Sequence, residues 1–238
     1  MLRLNTFGGL TLRQGSAPLT GAPTQRRRLA LLALLATAGE RGMSREKLLA
    51  FLWPEGEPDK ARHALNQILS AQRRHFKEAA LFEGRKTLRL NPAQIESDVR
   101  LFEEAIATGE LERAVTLYSG PFLDGFFLAE APEFERWADD HRSRFARRCG
   151  SALVALAQRA AQAGDRAGVV EWRHRAAELA PFDAEAALRL SEALVDAGNT
   201  AGALRAMRGY QERIKKELGV EGDPEIERRL RSLEMTLR

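Results

Sequence analysis

Two glycine–polar pairs, Gly164-Asp165 and Gly198-Asn199, stand 34 residues apart, in a stretch that carries no strand signal from Asp98 onward. A 34-residue period in a helical sequence is that of tetratricopeptide repeats. In such repeats each helix pair hides its apolar face only by stacking on the next pair. The residues around the two pairs agree with this frame. Gly164 falls at a turn between paired helices, and Ala176 and Pro181 fall at the small-residue and closing-proline positions. Gly198 and Ala203 repeat the turn and its following small residue. Small residues belong there because paired helices approach closely only where side chains are short. "GELERAV" from Gly109 reads as an earlier, irregular copy. Helices are expected near 98–108, 110–119, 130–163, 166–180, 183–197, 200–218 and 223–236.

The first 97 residues follow a different pattern. Leu2 and Leu4, then Leu10 and Leu12, alternate around Gly8-Gly9 and Gly15, which predicts short antiparallel strands. A helix opens at Thr24 or Gln25, packs through Leu29, Leu32, Ala33, Leu35 and Ala36, and ends at Gly39. Ser44 is the N-cap of a second helix, with Lys47 where a capping box prefers Glu. After the loop "PEGEPDK", Pro58 suits the first turn of a third helix. "ALFEGRKTLRLNP" then reads as a β-hairpin with the basic tip Gly84-Arg85-Lys86. Strands, three helices and a basic-tipped hairpin, in that order, describe a winged helix. The expected fold is therefore mainly α with a small β component. It comprises an N-terminal winged helix-turn-helix over 1–97 and a C-terminal tetratricopeptide-like α-helical repeat domain over 98–238.

The third helix carries the chemistry. At about 100° per residue, Ala61, Leu65, Ile68, Leu69 and Phe76 share one side of "ARHALNQILSAQRRHFK". Arg62, Asn66, Ser70, Arg73 and Lys77 fall on the other, flanked by His63, Gln67 and Arg74. That face holds no carboxylate, whereas an ordinary solvated helix face mixes signs. Arg, Asn, Gln and Ser are the side chains that reach base edges and phosphates in a DNA groove. In a winged helix this segment enters the major groove, and the hairpin, with Arg85 and Lys86, reaches along the backbone. Arg26-Arg27-Arg28 opens the first helix, where cations oppose the macrodipole. A phosphate contact through Arg27 and Arg28 is one reason for placing them there, and a solvated basic run is the other.

Charge follows the same division. Residues 1–97 carry 16 Lys and Arg against 8 Asp and Glu, and residues 98–238 carry 21 against 25. A basic first part joined to an acidic second part points the first at duplex DNA and leaves the second for a protein partner. The lone cysteine, Cys149, excludes an intramolecular disulfide and a cysteine-based zinc site, and reads as a buried small side chain. The four histidines form no metal-ligand pair at helical spacing. No Gly-rich phosphate loop, nucleophile elbow or His-Glu metal motif is present, so neither catalysis nor a cofactor is expected. No signal-like segment opens the sequence, and "LALLALLATA" is far short of the ~20 residues of a membrane span, so a cytoplasmic protein is expected. "GPFLDGFF" is an apolar loop, suited either to packing or to an exposed partner site.

The chain also resembles a known family. "FGGLTLRQG", "QRRRLALLALLATAGERGMSREKLLAFLWPE", "ARHALNQILSAQRR" and "TLRLNPAQIESDVRLFEEA" look like the N-terminal half of bacterial SARP-type regulators. "AVTLYSGPFLDGF", "EFERWADDHRSRF", "AELAPFDAEAALRLSEALVDAGNTAGALR" and "ELGVEGDPEIERRL" look like the bacterial transcriptional activator domain that follows it. The resemblance implies a transcription activator with a response-regulator-type winged helix, and contact with RNA polymerase. It leaves a homo-oligomer open. One position departs: Gln72 stands where the family has leucine before Arg73-Arg74, and the wheel turns it into the apolar side. The alternative reading is a tetratricopeptide-type adaptor whose winged helix no longer binds DNA.

Overall fold

The computed structural model describes residues 1–21, 25–76, 80–220 and 223–236. Lys77 and the Thr24 helix start therefore lie outside the described residues. The chain divides into two compact units, Met1–Ala146 and Arg147–Arg238, with the boundary inside one long helix.

The first unit begins with β1 (Leu2–Asn5), β2 (Thr11–Gln14) and β3 (Ala17–Pro18). Leu4 pairs with Leu12 across the antiparallel β1–β2 ladder, and Leu2, Leu4 and Leu12 are all buried. α1 (Arg26–Ala38) follows, and every residue from Leu29 to Ala36 is buried. A helix that is apolar all round has no solvent face, so α1 becomes the central post of the unit. A 3₁₀ turn (Gly39–Arg41) leads to the two-residue β4 (Met43–Ser44), then α2 (Arg45–Leu52) and α3 (Pro58–His75). The wing is β5 (Phe82–Glu83) and β6 (Thr87–Leu90). β4 pairs with β6, so the wing belongs to a three-stranded sheet ordered β4-β6-β5. β7 (Ile95–Ser97) returns to lie parallel to β1, Leu2 opposite Ile95, and completes a sheet ordered β3-β2-β1-β7.

Beyond β7 come α4 (Asp98–Thr108), α5 (Leu111–Leu117) and the start of α6 (Pro132–Gln162). These pack against the N-terminal strands. The Asp98 carboxylate, first residue of α4, accepts from the main-chain N–H of Thr6 (2.7 Å) and Phe7 (2.9 Å) and from the Thr6 hydroxyl (2.6 Å). Burial pushes this carboxyl above its ordinary range, and the hydrogen bonds from Phe7, Thr6 and Val99 pull the other way. The Phe7 ring lies edge-on to Phe102, Phe122 and Phe145. "GPFLDGFF" is mostly a packing element. Phe122, Leu123 and Phe126 are buried, Phe127 is exposed, and Leu123 donates its N–H to Thr6 O (2.7 Å).

The acidic character sits in this connecting segment. Residues 98–146 carry 5 Lys and Arg against 11 Asp and Glu, while residues 147–238 carry 16 against 14. The second unit is thus not acidic, and phosphate repulsion gives no reason to keep it from DNA.

The second unit contains the end of α6, α7 (Arg166–Leu179), α8 (Ala184–Asp196), α9 (Thr200–Leu218) and α10 (Pro224–Thr236). The 34-residue recurrence is visible in the caps. Asp165 accepts from the N–H of Gly168 (2.9 Å), and Asn199 accepts from the N–H of Gly202 (2.8 Å). A Cβ on Gly168 would stand 2.2 Å from the Asp165 carboxylate, and one on Gly202 would stand 2.6 Å from the Asn199 amide. The capping side chain occupies the space, so both copies keep glycine three residues later. Ala187, Ala203, Met207, Tyr210, Ile214, Ile226, Leu230 and Leu233 form the unit's core. Cys149 is buried, and burial pushes its thiol up to about 11, as befits a packing residue.

Candidate nucleic-acid interface

α3 is built as a two-sided element. Pro58 occupies its first turn, Ala61, Leu65, Ile68 and Leu69 are buried, and Phe76 caps its end. Arg62, His63, Asn66, Gln67, Ser70, Arg73 and Arg74 are all exposed. Basic residues Arg73, Arg74 and His75 close the helix, where cations suit the dipole. Two of the exposed residues are engaged within the helix. Arg62 pairs with Asp59 (2.8 Å), and the Gln67 amide nitrogen lies 2.9 Å from His63 Nε2. Both contacts are solvent-exposed and weak enough to exchange for a ligand.

Gln72 is the departure within this helix. It is buried with α3's apolar side, and neither atom of its amide has a hydrogen-bond partner among the described residues. Such a group costs about 1–3 kcal/mol relative to a satisfied or apolar one.

The wing tip is held in a turn that glycine alone permits. Gly84 has φ +86°, and a Cβ there would lie 2.0 Å from Thr87 O. Arg85 and Lys86 at the tip are exposed. The wing stands beside α3 because Arg45 joins them, and no sequence motif marks this residue. Its main-chain N–H donates to Lys86 O (3.1 Å), its Nε donates to Arg85 O (2.7 Å), and its Nη1 donates to Asn66 Oδ1 (2.9 Å). Ser44, one residue earlier, caps α2 by accepting from the N–H of Lys47 (3.2 Å). One signal could have exposed Arg45: it is a cation in the first turn of a helix, where the dipole disfavours it.

Arg26 and Arg27, which open α1, are tied into the protein. Arg26 donates to Phe127 O (2.5 Å) and stands over the Phe126 ring. Arg27 donates to Leu52 O (3.2 Å), at the C-terminal end of α2, and stands over the Trp53 ring. Arg28 is half-buried. Carbonyls and aromatic faces are thus the partners that the fold gives Arg26 and Arg27. Among the described residues no cluster of three or more His, Cys, Asp or Glu is placed to hold a metal ion, and no helix is long and apolar enough to cross a membrane.

Residues 96–237 match the model of the bacterial transcriptional activator domain family. No curated protein matches the sequence. Among solved structures, the chain is similar to Mycobacterium tuberculosis EmbR in complex with a low-affinity phosphopeptide, with a TM-score of 0.61 and 19% identity. The similarity covers 99% of this chain and 65% of that one, so the chain spans just under two thirds of the length of that structure. The match from residue 96 to 237 begins where β7 ends and overlaps both compact units. The chain belongs to the bacterial transcriptional activator domain family.

Proposed function

We propose that the chain binds duplex DNA through α3 and the wing, and activates transcription through a protein contact made by its helical repeats. The observation that carries the reading is the exposed face of α3. Seven polar or cationic side chains stand on it, with a single carboxylate, Asp59 in the first turn and paired with Arg62, beside a wing tip with two more cations. Asn66, Gln67 and Ser70 are suited to base edges, and Arg62, Arg73, Arg74, Arg85 and Lys86 to phosphates. His63 flanks the base-reading group, and Lys77 extends the same face in sequence. Arg27 is assigned to the scaffold, because its Nε donates to Leu52 O and its guanidinium stands over the Trp53 ring, while Arg28 stays a candidate phosphate contact.

The division of labour is also proposed: residues 1–97 supply the DNA-reading elements, and 98–238 supply the activator domain. Residues 98–146 brace the first part through Asp98 and the ring cluster around Phe7. Tetratricopeptide-like repeats commonly present a groove to a protein, and RNA polymerase is the partner that the family implies. The site of action is the bacterial cytoplasm.

The test is binding of the full chain to duplex DNA across a salt series. Five cations engaged on phosphates give a slope of log affinity against log salt of up to about −4 to −5. Absence of binding at low salt would favour the adaptor reading instead.

A further inference from the structure

We propose that Arg45 sets the base preference of Asn66, so that α3 reads guanine rather than adenine at the base pair that Asn66 meets. The inference rests on the DNA-binding reading above and specifies its ligand.

The argument begins with donor and acceptor chemistry. Arginine carries only donors, so the amide atom that faces Arg45 Nη1 at 2.9 Å must be the oxygen of Asn66. The amide orientation is therefore fixed by its partner, and the NH2 group points away from Arg45. An asparagine that reads adenine does so with both ends: its oxygen accepts from N6 and its nitrogen donates to N7. In this chain the oxygen already accepts from a cation. What Asn66 offers outward is the donor end, next to further guanidinium N–H groups of Arg45. A surface made only of donors fits a base edge made only of acceptors. In the major groove guanine presents O6 and N7, two acceptors side by side, whereas adenine places a donor at N6. Adenine at that position would set its N6 donor against the Arg45 cation and the Asn66 NH2.

The arrangement is built rather than incidental. Arg45 is held at two points on the wing turn, by its main-chain N–H on Lys86 O and its Nε on Arg85 O. The wing turn is itself confined by Gly84. Arg45 thus has little freedom to leave Asn66 when DNA arrives, and it acts as a positioning residue for the base-reading amide. Lysine lacks the planar fork that places separate donors on Arg85 O and on Asn66 Oδ1, so it would hold the amide less firmly.

The experiment is selection from a randomised duplex library by the full chain and by Asn66→Ala, Asn66→Asp, Arg45→Leu and Arg45→Lys. Titration on the selected duplexes follows, with thermal melts confirming that each variant is folded. The position at which Asn66→Ala loses its preference is the one that Asn66 meets. The wild-type chain should select guanine there and bind the adenine-substituted duplex about fivefold or more weakly. Replacing that guanine by 7-deazaguanine, which lacks the N7 acceptor, should also weaken binding. Asn66→Asp keeps its contact with Arg45 but turns oxygen outward, and should lose the guanine preference. Arg45→Leu frees the Asn66 oxygen and Arg45→Lys loosens the hold on it, so both should move the guanine-to-adenine ratio toward adenine, the leucine variant further. A purely structural Arg45 would lower affinity for both duplexes alike. Three results overturn the inference while leaving DNA binding intact: adenine at that position in the wild-type selection, a guanine-to-adenine ratio unchanged in both Arg45 variants, or an Asn66→Ala variant whose preference is unchanged at every position. A library from which the wild-type chain enriches nothing would overturn the DNA-binding reading itself.

Discussion

Replacing Asp98 with alanine should detach the N-terminal strand from α4. The carboxylate accepts from the N–H of Thr6 and of Phe7, and from the Thr6 hydroxyl. Thr6 and Phe7 are both buried, so water cannot take over as acceptor. Two buried donors left unpaired cost about 1–3 kcal/mol each, or roughly 4 kcal/mol together. That is a large share of the ~5–15 kcal/mol that stabilises a typical domain. At a urea dependence of about 2 kcal/mol per molar, the unfolding midpoint should fall by roughly 2 M. Asp98→Asn restores one oxygen but turns an NH2 toward a remaining donor, and should lose about half as much. The assay is urea unfolding followed by tryptophan fluorescence, with Trp137 as the reporter beside Phe122 and Phe134. Burial raises the Asp98 carboxyl, so the folded protein takes up this proton before the unfolded chain does. The contribution of Asp98 therefore turns more favourable as pH falls, and the alanine deficit should be at least as large near about pH 4.5 as at neutrality. A loss below about 1 kcal/mol at neutral pH, or a deficit that shrinks on acidification, would refute the reasoning.

Other outcomes follow from the same structure. Gln72→Leu should stabilise the chain by about 1 kcal/mol or more, since it replaces a buried amide with no partner among the described residues by an apolar side chain of similar size; a thermal melt that moves down refutes this. His141 donates from Nδ1 to Trp137 O (2.8 Å) amid Phe122, Trp137 and Phe145, and burial lowers its pKa. Its contribution is complete above the unfolded value of about 6.5 and is lost as pH falls through the lower folded one, so His141→Phe should flatten the stability profile below about pH 6.5. Arg85→Ala with Lys86→Ala should weaken binding to all duplexes alike and reduce the salt slope by about 0.9 per lost phosphate contact; an unchanged slope removes the wing from the interface. A fragment ending at Ser97 should fail to fold, because Phe7 loses Phe102, Phe122 and Phe145, whereas a fragment ending at Ala146 should fold; circular dichroism of the two decides it.

The helices were legible wherever a punctuating residue met a clear apolar period. Pro58 starts α3, Gly39 ends α1, and Gly164 and Gly198 mark turns that the structure places between helices. Short strands with distant partners were not legible. Met43–Ser44 and Ile95–Ser97 are too brief to show a period of two, and Ile95 pairs with Leu2, across nearly the whole first part of the chain. Net charge counted along the chain misled for a related reason. Residues 98–146 hold the acid but pack with the basic part, and the sum over 98–238 hides a second unit that is slightly basic. The exposed residues of α3 were legible because a helix wheel needs only local periodicity. Arg45 was not, because its importance lies in the carbonyls of Arg85 and Lys86 and the amide of Asn66, up to 41 positions away. The destination of Arg27 was hidden in the same way: Leu52 O and the Trp53 ring meet it only in the fold.

The central claim, that α3 lies against DNA, is tested most directly by site-specific photocrosslinking in the full chain. A photoreactive side chain at Ser70, on the exposed face of α3, should crosslink to duplex DNA at low salt, and the yield should fall as salt rises. The same side chain at Arg205, on exposed α9, should give no DNA crosslink. Crosslinks from Arg205 with none from Ser70 would contradict the account and move the DNA site to the helical repeats.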